Sequence, residues 1–410
     1  MNRNHRAANS LVVLLAASFL AGGSVAIAAD DAQDAANKGD WNILFRYRLE
    51  LVDQDPLAED ATASTLRTRI NYKSPERQGF SFFGEFDYVA EIFADDYNAG
   101  AGNTPDKGQY PVVADPDGED LNQAFLQYNN GKNQFRAGRQ RIIFDNARFV
   151  GNVGWRQNPQ TYDALSFVHK SGKDQQFTLA YVDNVNRIFG DDVTGGDHEQ
   201  NTTLANFSKN FEGSGKLTAY WYDIDNEDAA GFSTTTWGLR FAGSRPMSDG
   251  KFGYTFEYAN QGDNANNPVP YDANYYRIDL SAGVGAATFY AGFESLEGDH
   301  MTAGQAFRTP LATLHAFNGW ADKFLATPDA GLEDTFFGAK GKVGAWSWNV
   351  LYHDFGAQSG SADFGSEIDA SLATKIAGKY GLLLKMASFD TDSPSYGDTT
   401  KFWVQFTAGF

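Results

Sequence analysis

From Trp41 onward, apolar and polar residues change places at every second position along much of this chain. In "NILFRYRLELV" (42–52), Phe45, Tyr47, Leu49 and Leu51 alternate with Arg46, Arg48 and Glu50. In "TLRTRINYK" (65–73), Leu66, Ile70 and Tyr72 share one face, and Arg67, Arg69, Asn71 and Lys73 the other. "FSFFGEFDYVAE" (80–91), "KFGYTFEYA" (251–259) and "NYYRIDLSAG" (274–283) repeat the pattern, the last setting Tyr276, Ile278 and Leu280 against Arg277 and Asp279. A helical stripe would return at three and four residues, whereas a period of two makes a β-strand with one oily and one polar face. About eighteen such segments follow one another, or sixteen if one weak hairpin is dropped.

The connections between them fall into two alternating classes. Short links occur at 74–79, near 131, and at 171–174, 212–215, 243–250, 283–286, 341–345 and 377–379. Longer, Asp/Asn/Gly-rich links occupy 53–64, 92–119, 143–160, 184–200, 225–233, 260–273, 297–332, 355–365 and 390–398. Tight turns at one end and long loops at the other predict a transmembrane, up-and-down antiparallel β-barrel in a bacterial outer membrane. The all-β alternative is a soluble periplasmic sandwich or propeller, which explains alternation but not the two loop classes. The chain ends in "TKFWVQFTAGF", and a final strand closing on an aromatic, here Phe410, resembles the signal by which outer-membrane barrels engage their assembly machinery.

Composition sharpens this reading. "MNRNHR", then "LVVLLAASFLAGG" and Ala26-Ile27-Ala28, have the charge, apolar centre and small-residue site of an export signal, predicting a signal peptide at 1–28 and a barrel at 29–410. Loss of Arg3 and Arg6 with that segment takes the formal charge from −19 to −21, which excludes nucleic acid as a partner. The chain has no cysteine, so neither disulfides nor thiolate metal ligands are available. Aromatic residues make up 15% of the chain although mean hydropathy is only −0.44, as expected when greasy and polar faces average out.

If one face of each strand meets lipid, the other meets the lumen. A charge on the lipid face near the midplane costs about 2–4 kcal/mol, so the alternating arginines turn inward. Arg46, Arg48, Arg67 and Arg69 are the first of these. Arg139 and Arg141 lie near the outer half of the fifth strand, where alternation is less clean and Arg136 is the residue out of step. Arg148 and Arg156 stand in the loop that follows, and Arg240 and Arg277 complete the candidate pore-lining set. Eighteen strands leave a bore too wide for side chains to fill. Two readings stay open: the arginines leave a net positive field that favours anions and carboxylates, or they only neutralise Glu50, Glu85, Asp87, Glu257, Asp279 and Glu294.

Two segments, "GRQRIIFDNARFVGNVGWRQNPQTYDA" (138–164) and "FRTPLATLHAFNGWADKFLATPDAGLED" (307–334), resemble blocks of the alginate export family of outer-membrane porins. That resemblance implies an eighteen-stranded barrel with an arginine-rich lumen passing a polyuronate or smaller anionic solutes. It also implies roles for the inward arginines of the first two strands, for Gly138-Arg139-Gln140, and for Asp145-Asn146, Arg148 and Trp155-Arg156. The loops here are shorter than in the family's alginate exporters, which favours small solutes over a polymer.

Other constellations are weaker. "PLATLHAFNGWADKF" (310–324) is apolar for an external loop and reads as a short amphipathic helix that plugs the pore or caps its rim, with His315, Trp320 and Asp322 as sugar contacts. "DPDGED" (115–120) and "GDDVTGGDHE" (190–199) carry oxygen ligands suited to Ca²⁺ without matching a defined calcium loop. His353-Asp354 is the one tempting acid–base pair, but no activated serine can be set beside it. The sequence therefore predicts a channel, not an enzyme, with no cofactor. Its expected partners are outer-membrane lipid, lipopolysaccharide, an anionic solute or polyuronate, and the assembly machinery at Phe410. A non-selective porin and an outer-membrane hydrolase are the alternatives.

Overall fold

The structure is a computed structural model and describes residues 39–410, so the expected export signal at 1–28 lies outside the described residues. Its strands are β1 (Asp40–Gln54), β2 (Ala61–Lys73), β3 (Phe80–Asp96), β4 (Gly118–Asn129), β5 (Asn133–Gln140) and β6 (Thr161–Ser171). There follow β7 (Gln175–Asn186), β8 (Asp197–Phe211), β9 (Gly215–Ile224), β10 (Thr234–Met247), β11 (Gly250–Asp263) and β12 (Asp272–Val284). The last six are β13 (Ala287–Leu296), β14 (Leu332–Val343), β15 (Trp346–Gly356), β16 (Asp363–Ile376), β17 (Tyr380–Asp390) and β18 (Thr399–Gly409).

Each strand pairs antiparallel with its neighbours in sequence, and β1 closes the ring against β18, with Leu51 opposite Phe402 and Leu44 opposite Gly409. Closure removes both sheet edges, so the backbone polar groups of a wall immersed in hydrocarbon are all paired. The count of eighteen expected from alternation is the count observed. One end of the barrel carries turns as short as 248–249 and 285–286, and the other carries loops including 97–117, 141–160 and 297–331.

Alternation sorts the side chains as the pattern requires. Ile70, Phe86, Leu126, Leu165, Leu239, Phe256, Ile278, Phe337, Ile368 and Phe402 are exposed on the outer face. Aromatic pairs mark its two margins. Trp41–Tyr72, Phe80–Tyr128 and Phe135–Phe167, with ring centroids 4.7, 4.9 and 4.6 Å apart, lie toward the short turns. Trp237–Tyr258 and Tyr258–Tyr276, at 5.7 and 5.2 Å, lie toward the long loops. Such girdles suit the interfaces of a membrane, where a ring is half in hydrocarbon and half in water.

The buried core is inside the bore and is built largely by two loops. Phe144, Phe149 and Val150 of loop 141–160, with Phe307 and Leu311 of loop 297–331, pack on Leu204, Tyr220, Tyr222 and Tyr275 of the inner wall. Phe324 packs on Phe355, Phe364 and Phe389 in the same way. The expected helix at 310–324 is absent. Only a single 3-10 turn, Leu314–Ala316, forms there, and the segment is otherwise an irregular strap. Its side chains are held singly by different wall strands, which leaves no common apolar face for a helix to present.

The orientation of the wall is testable at β12. Ile278→Arg, on the outer face, is expected to lower unfolding stability by about 2–4 kcal/mol in urea titrations of the vesicle-inserted protein. A change within about 0.5 kcal/mol would contradict the outward placement.

Candidate functional site: the loop partition of the lumen

Loops 141–160 and 297–331 are joined to each other before they are joined to the wall. Val150 and Leu311 form a parallel bridge, the Gly151 N–H donates to the Leu311 carbonyl at 2.8 Å, and the Thr313 N–H donates to the Ala147 carbonyl at 2.9 Å. The Thr313 hydroxyl accepts from the Val153 N–H at 3.1 Å. The two loops thus form one partition across the bore.

The wall arginines of β1 and β2 hold that partition. Arg46 donates through Nε to Gln157 Oε1 at 2.9 Å and through Nη1 to the Gly154 carbonyl at 3.0 Å, and its Nη2 meets the Arg156 carbonyl. Arg48 donates to the Trp155 carbonyl at 2.5 Å and lies 4.0 Å over the Trp155 ring. Arg67 donates to the Gln157 carbonyl at 3.1 Å. A loop inside a barrel cannot complete a ladder, so its carbonyls need other donors, and a guanidinium carries five N–H groups in a rigid fork.

Most remaining positive charge is met by carboxylate. Arg48 pairs with Asp115 at 3.0 Å, and Arg69 grips both oxygens of Asp87 at 2.6 and 2.5 Å. Arg141 pairs with Glu85, and Arg148 with Glu294 at 2.7 Å. Arg156 spans Glu50 at 3.2 Å and Asp322 at 2.9 Å. Arg240 lies 3.4 Å from Glu257, and Arg277 reaches Asp279 and Glu294 at 3.0 and 3.1 Å. Among these inward arginines Arg46 alone has no carboxylate partner among the described residues.

Arg139 corrects the expectation drawn for β5. It stands opposite Asp163, one residue out of phase with buried Gln140 and in phase with exposed Ala137 and Leu165, so it takes the outer face. There it pairs with Asp163 at 2.8 Å near the long-loop margin. Arg136, which looked out of step, faces inward over Phe125 at 4.8 Å and bonds Gln127 at 2.8 Å. Arg139 and Arg141 would share a face in a continuous strand. β5 ends at Gln140, which frees Arg141 to turn to Glu85. Gly138 sits at φ +118°, where a Cβ would strike the Ala124 carbonyl, so only glycine closes the wall there.

On the opposite side the strap is seated by β16, β17 and β18. Glu367 accepts the Trp320 and Ala321 N–H groups at 2.5 and 2.8 Å, and a Cβ on Gly319 (φ +83°) would run into that carboxylate. Lys385 lies 3.8 Å from the Trp320 ring, 4.2 Å from Trp155 and 5.2 Å from Trp403, a cation enclosed by indole faces from both loops and the wall. Its ammonium donates to His315 Nε2 at 2.6 Å, and His315 Nδ1 donates to Asp322 at 2.6 Å. Only the neutral Nδ1–H tautomer satisfies both neighbours. Burial, aided by Lys385 and Arg156 and opposed by Asp322, pushes the His315 pKa down to about 3. Asp322 is pulled well below the usual carboxylate range: burial would raise it, but His315, Lys401 and Arg156 win.

Of the other sequence candidates, Asp145 is an anchor, accepting from Lys216 at 2.9 Å and from Asn206 and Thr218 at 3.0 Å each. His353 faces inward and bonds Asp334 at 2.8 Å, whereas exposed Asp354 has the opposite face, so the two do not act together. Asp115 of the proposed calcium segment is committed to Arg48 and to the Gln157 N–H at 2.6 Å. Lys385, Lys401, Glu367 and Gln157 were not singled out from sequence. Lys385 was available to the same rule, since a lysine between the apolar neighbours Leu384 and Met386 of a strand has to face in.

The partition leaves a chamber on each side. One of about 660 Å³ opens toward the long loops and is lined by Arg156, Arg187, Lys323 and Lys401 against Asp55 and Asp322. The other, about 400 Å³, lies toward the short turns and sets Arg277 and Lys340 against Asp279 and Asp334. The strap contributes Leu314, His315 and Asp322 to the first, and Phe317 to Trp320 to the second.

A closed eighteen-stranded barrel with aromatic girdles outside and a loop partition inside has the fold of an outer-membrane β-barrel. The alginate export family matches this chain over residues 85–273. No curated protein is significantly similar to it in sequence. Similar folds occur in OpdK of Pseudomonas aeruginosa, an outer-membrane protein, at 12% identity and TM-score 0.69 over 90% of this chain and 99% of that one. OccAB4 of Acinetobacter baumannii matches at 12% and 0.69 over 91% and 98%, respectively. OpdK solved with vanillate matches at 12% and 0.66 over 90% and 99%.

Acid tests the seating of the strap. A released His315 titrates near the ordinary imidazole value of about 6.5, against about 3 when seated, so the released state binds the extra proton and seating weakens as pH falls from about 6.5 toward 3. Asp322 stays ionised through most of that interval. Single-channel records at pH 4 are expected to show more open-channel noise than at pH 7, and His315→Gln to reduce the difference. Equal noise at both pH values in the native chain would contradict this seating.

Proposed function

We propose that this barrel is an outer-membrane channel for small anionic solutes bearing carboxylates, uronates among them, crossing by diffusion past the loop partition. The observation that carries the reading is the lining of the long-loop chamber, four cationic side chains against two carboxylates in a chain whose formal charge is −19. A confined positive field raises the local concentration of anions, and contacts must stay weak for transit. The alginate export match over residues 85–273 supports uronates as a class. OpdK has been solved with vanillate, a small carboxylate, which is the size and charge proposed here. The strap would have to move aside for a polymer, so chambers of this size favour monomers and short oligomers over alginate chains. In the same reading the girdles meet lipid and lipopolysaccharide, and Phe410 engages the assembly machinery.

One observation favours a second reading, a non-selective porin: nearly every wall arginine is matched by a carboxylate or a loop carbonyl. A planar bilayer under a salt gradient separates the two. The reversal potential is expected to show anion preference, and equal permeability of cation and anion would favour the general porin.

A further inference from the structure

We propose that the long-loop chamber is an entry-side capture site, in which Arg187 and Lys323 take the carboxylate of a ring-bearing solute before it reaches the partition. The proposal deepens the anion-channel reading and rests on it. Four cations line the chamber, but two are already engaged. Arg156 is held by Glu50 and Asp322 at 3.2 and 2.9 Å, and Lys401 by Asp322 at 3.0 Å. Arg187 and Lys323 make no ion pair among the described residues, although Glu367, Asp398 and Asp322 act on Lys323 from farther off, and both line the chamber.

Unmatched cations are unusual in so acidic a chain. The structure holds both in place by other means. The Arg187 N–H donates to the Gly196 carbonyl at 2.7 Å, closing loop 187–196, and that loop is tied to loop 97–117 by Asn103 Nδ2 on the Phe189 carbonyl at 3.0 Å. Lys323 extends from the strap with its ammonium 5.7 Å from the Phe389 ring. A guanidinium whose backbone is fixed and whose N–H groups are uncommitted is ready for a bidentate carboxylate.

The remaining wall suits a ring. Tyr110, Phe189 and Tyr396 line the chamber with Pro56 and Pro310, offering flat apolar faces beside the two cations. About 660 Å³ is within the size range of small-molecule sites. The chamber beyond the partition is different. Its Arg277 is saturated by Asp279 and Glu294, and its two cations face two carboxylates. Capture is therefore expected at one end only.

The test is one-sided block of the open channel in a planar bilayer, with sodium galacturonate as probe and galactose as the uncharged control. Galacturonate is expected to interrupt the current from the long-loop side at far lower concentration than from the short-turn side, and galactose to do so from neither. In Arg187→Gln with Lys323→Gln the half-blocking concentration from the long-loop side should rise about tenfold or more. Block from the other side should stay unchanged, and discrete single-channel openings of the variant, whatever their size, show that the barrel is folded. The site is overturned if a conducting double variant is blocked like the native channel, or if sensitivity falls equally from both sides. Should the double variant not conduct, Arg187→Gln and Lys323→Gln are read singly against the same criterion. Native reversal potentials keep the two readings apart: no anion preference with one-sided galacturonate block retained would sink the anion channel and leave the site, while anion preference with symmetric block would do the reverse.

Discussion

A guanidinium that hydrocarbon rejects and a loop carbonyl that has no ladder to join solve each other's problem inside this barrel. Arg46, Arg48 and Arg67 leave β1 and β2 on the inner face because the outer face is apolar. The carbonyls of Gly154, Trp155, Arg156 and Gln157 come from a loop that could not otherwise be buried with its polar groups paired. Once that loop is held, its apolar residues cover the aromatic inner wall, and loop 297–331 docks on it through Val150 and Leu311. The partition is a consequence of where the strand pattern sends its charges.

This arrangement also explains why so many arginines fail to make a strongly positive bore. Buried charge needs a partner, and here Glu50, Glu85, Asp87, Asp115, Glu294 and Asp322 supply one for most guanidiniums. Their part is to fix the geometry of the two chambers. In the proposed channel, selection falls to cations that the pairing omits, Arg187 and Lys323 of the long-loop chamber among them. Weak contact at the mouth and a charge-balanced chamber beyond it would let a solute be gathered and then released.

The strands were legible because alternation is local: eleven residues such as 42–52 carry the signal by themselves, and the two loop classes follow from the gaps between such runs. The inward direction of Arg46, Arg48, Arg67, Arg69, Arg240 and Arg277 came from the same rule. Arg139 defeated it, because β5 has eight residues, a bend at Gly138 and an end at Gln140, too little regular strand to fix its phase. The partition was legible only in part: segment 310–324 was expected to plug or cap the pore, but its joining to loop 141–160 was not foreseen. Its bridge joins positions as far apart as Val150 and Leu311, and the strap looked helical only because its apolar residues are spaced to meet several different wall strands. Nor could sequence say that Asp115 and Asp322 answer Arg48 and Arg156, since those pairs form only after the loops enter the bore.

The division of the lumen can be read directly by thiol labelling, for which the absence of native cysteine leaves a clean background. Tyr110→Cys places a thiol in the long-loop chamber and Lys340→Cys one in the short-turn chamber. A reagent too bulky to pass the strap, added at the long-loop side of a membrane-inserted barrel, should modify the first and spare the second, and the reverse should hold from the other side. Comparable labelling of both thiols from one side would contradict a partitioned bore.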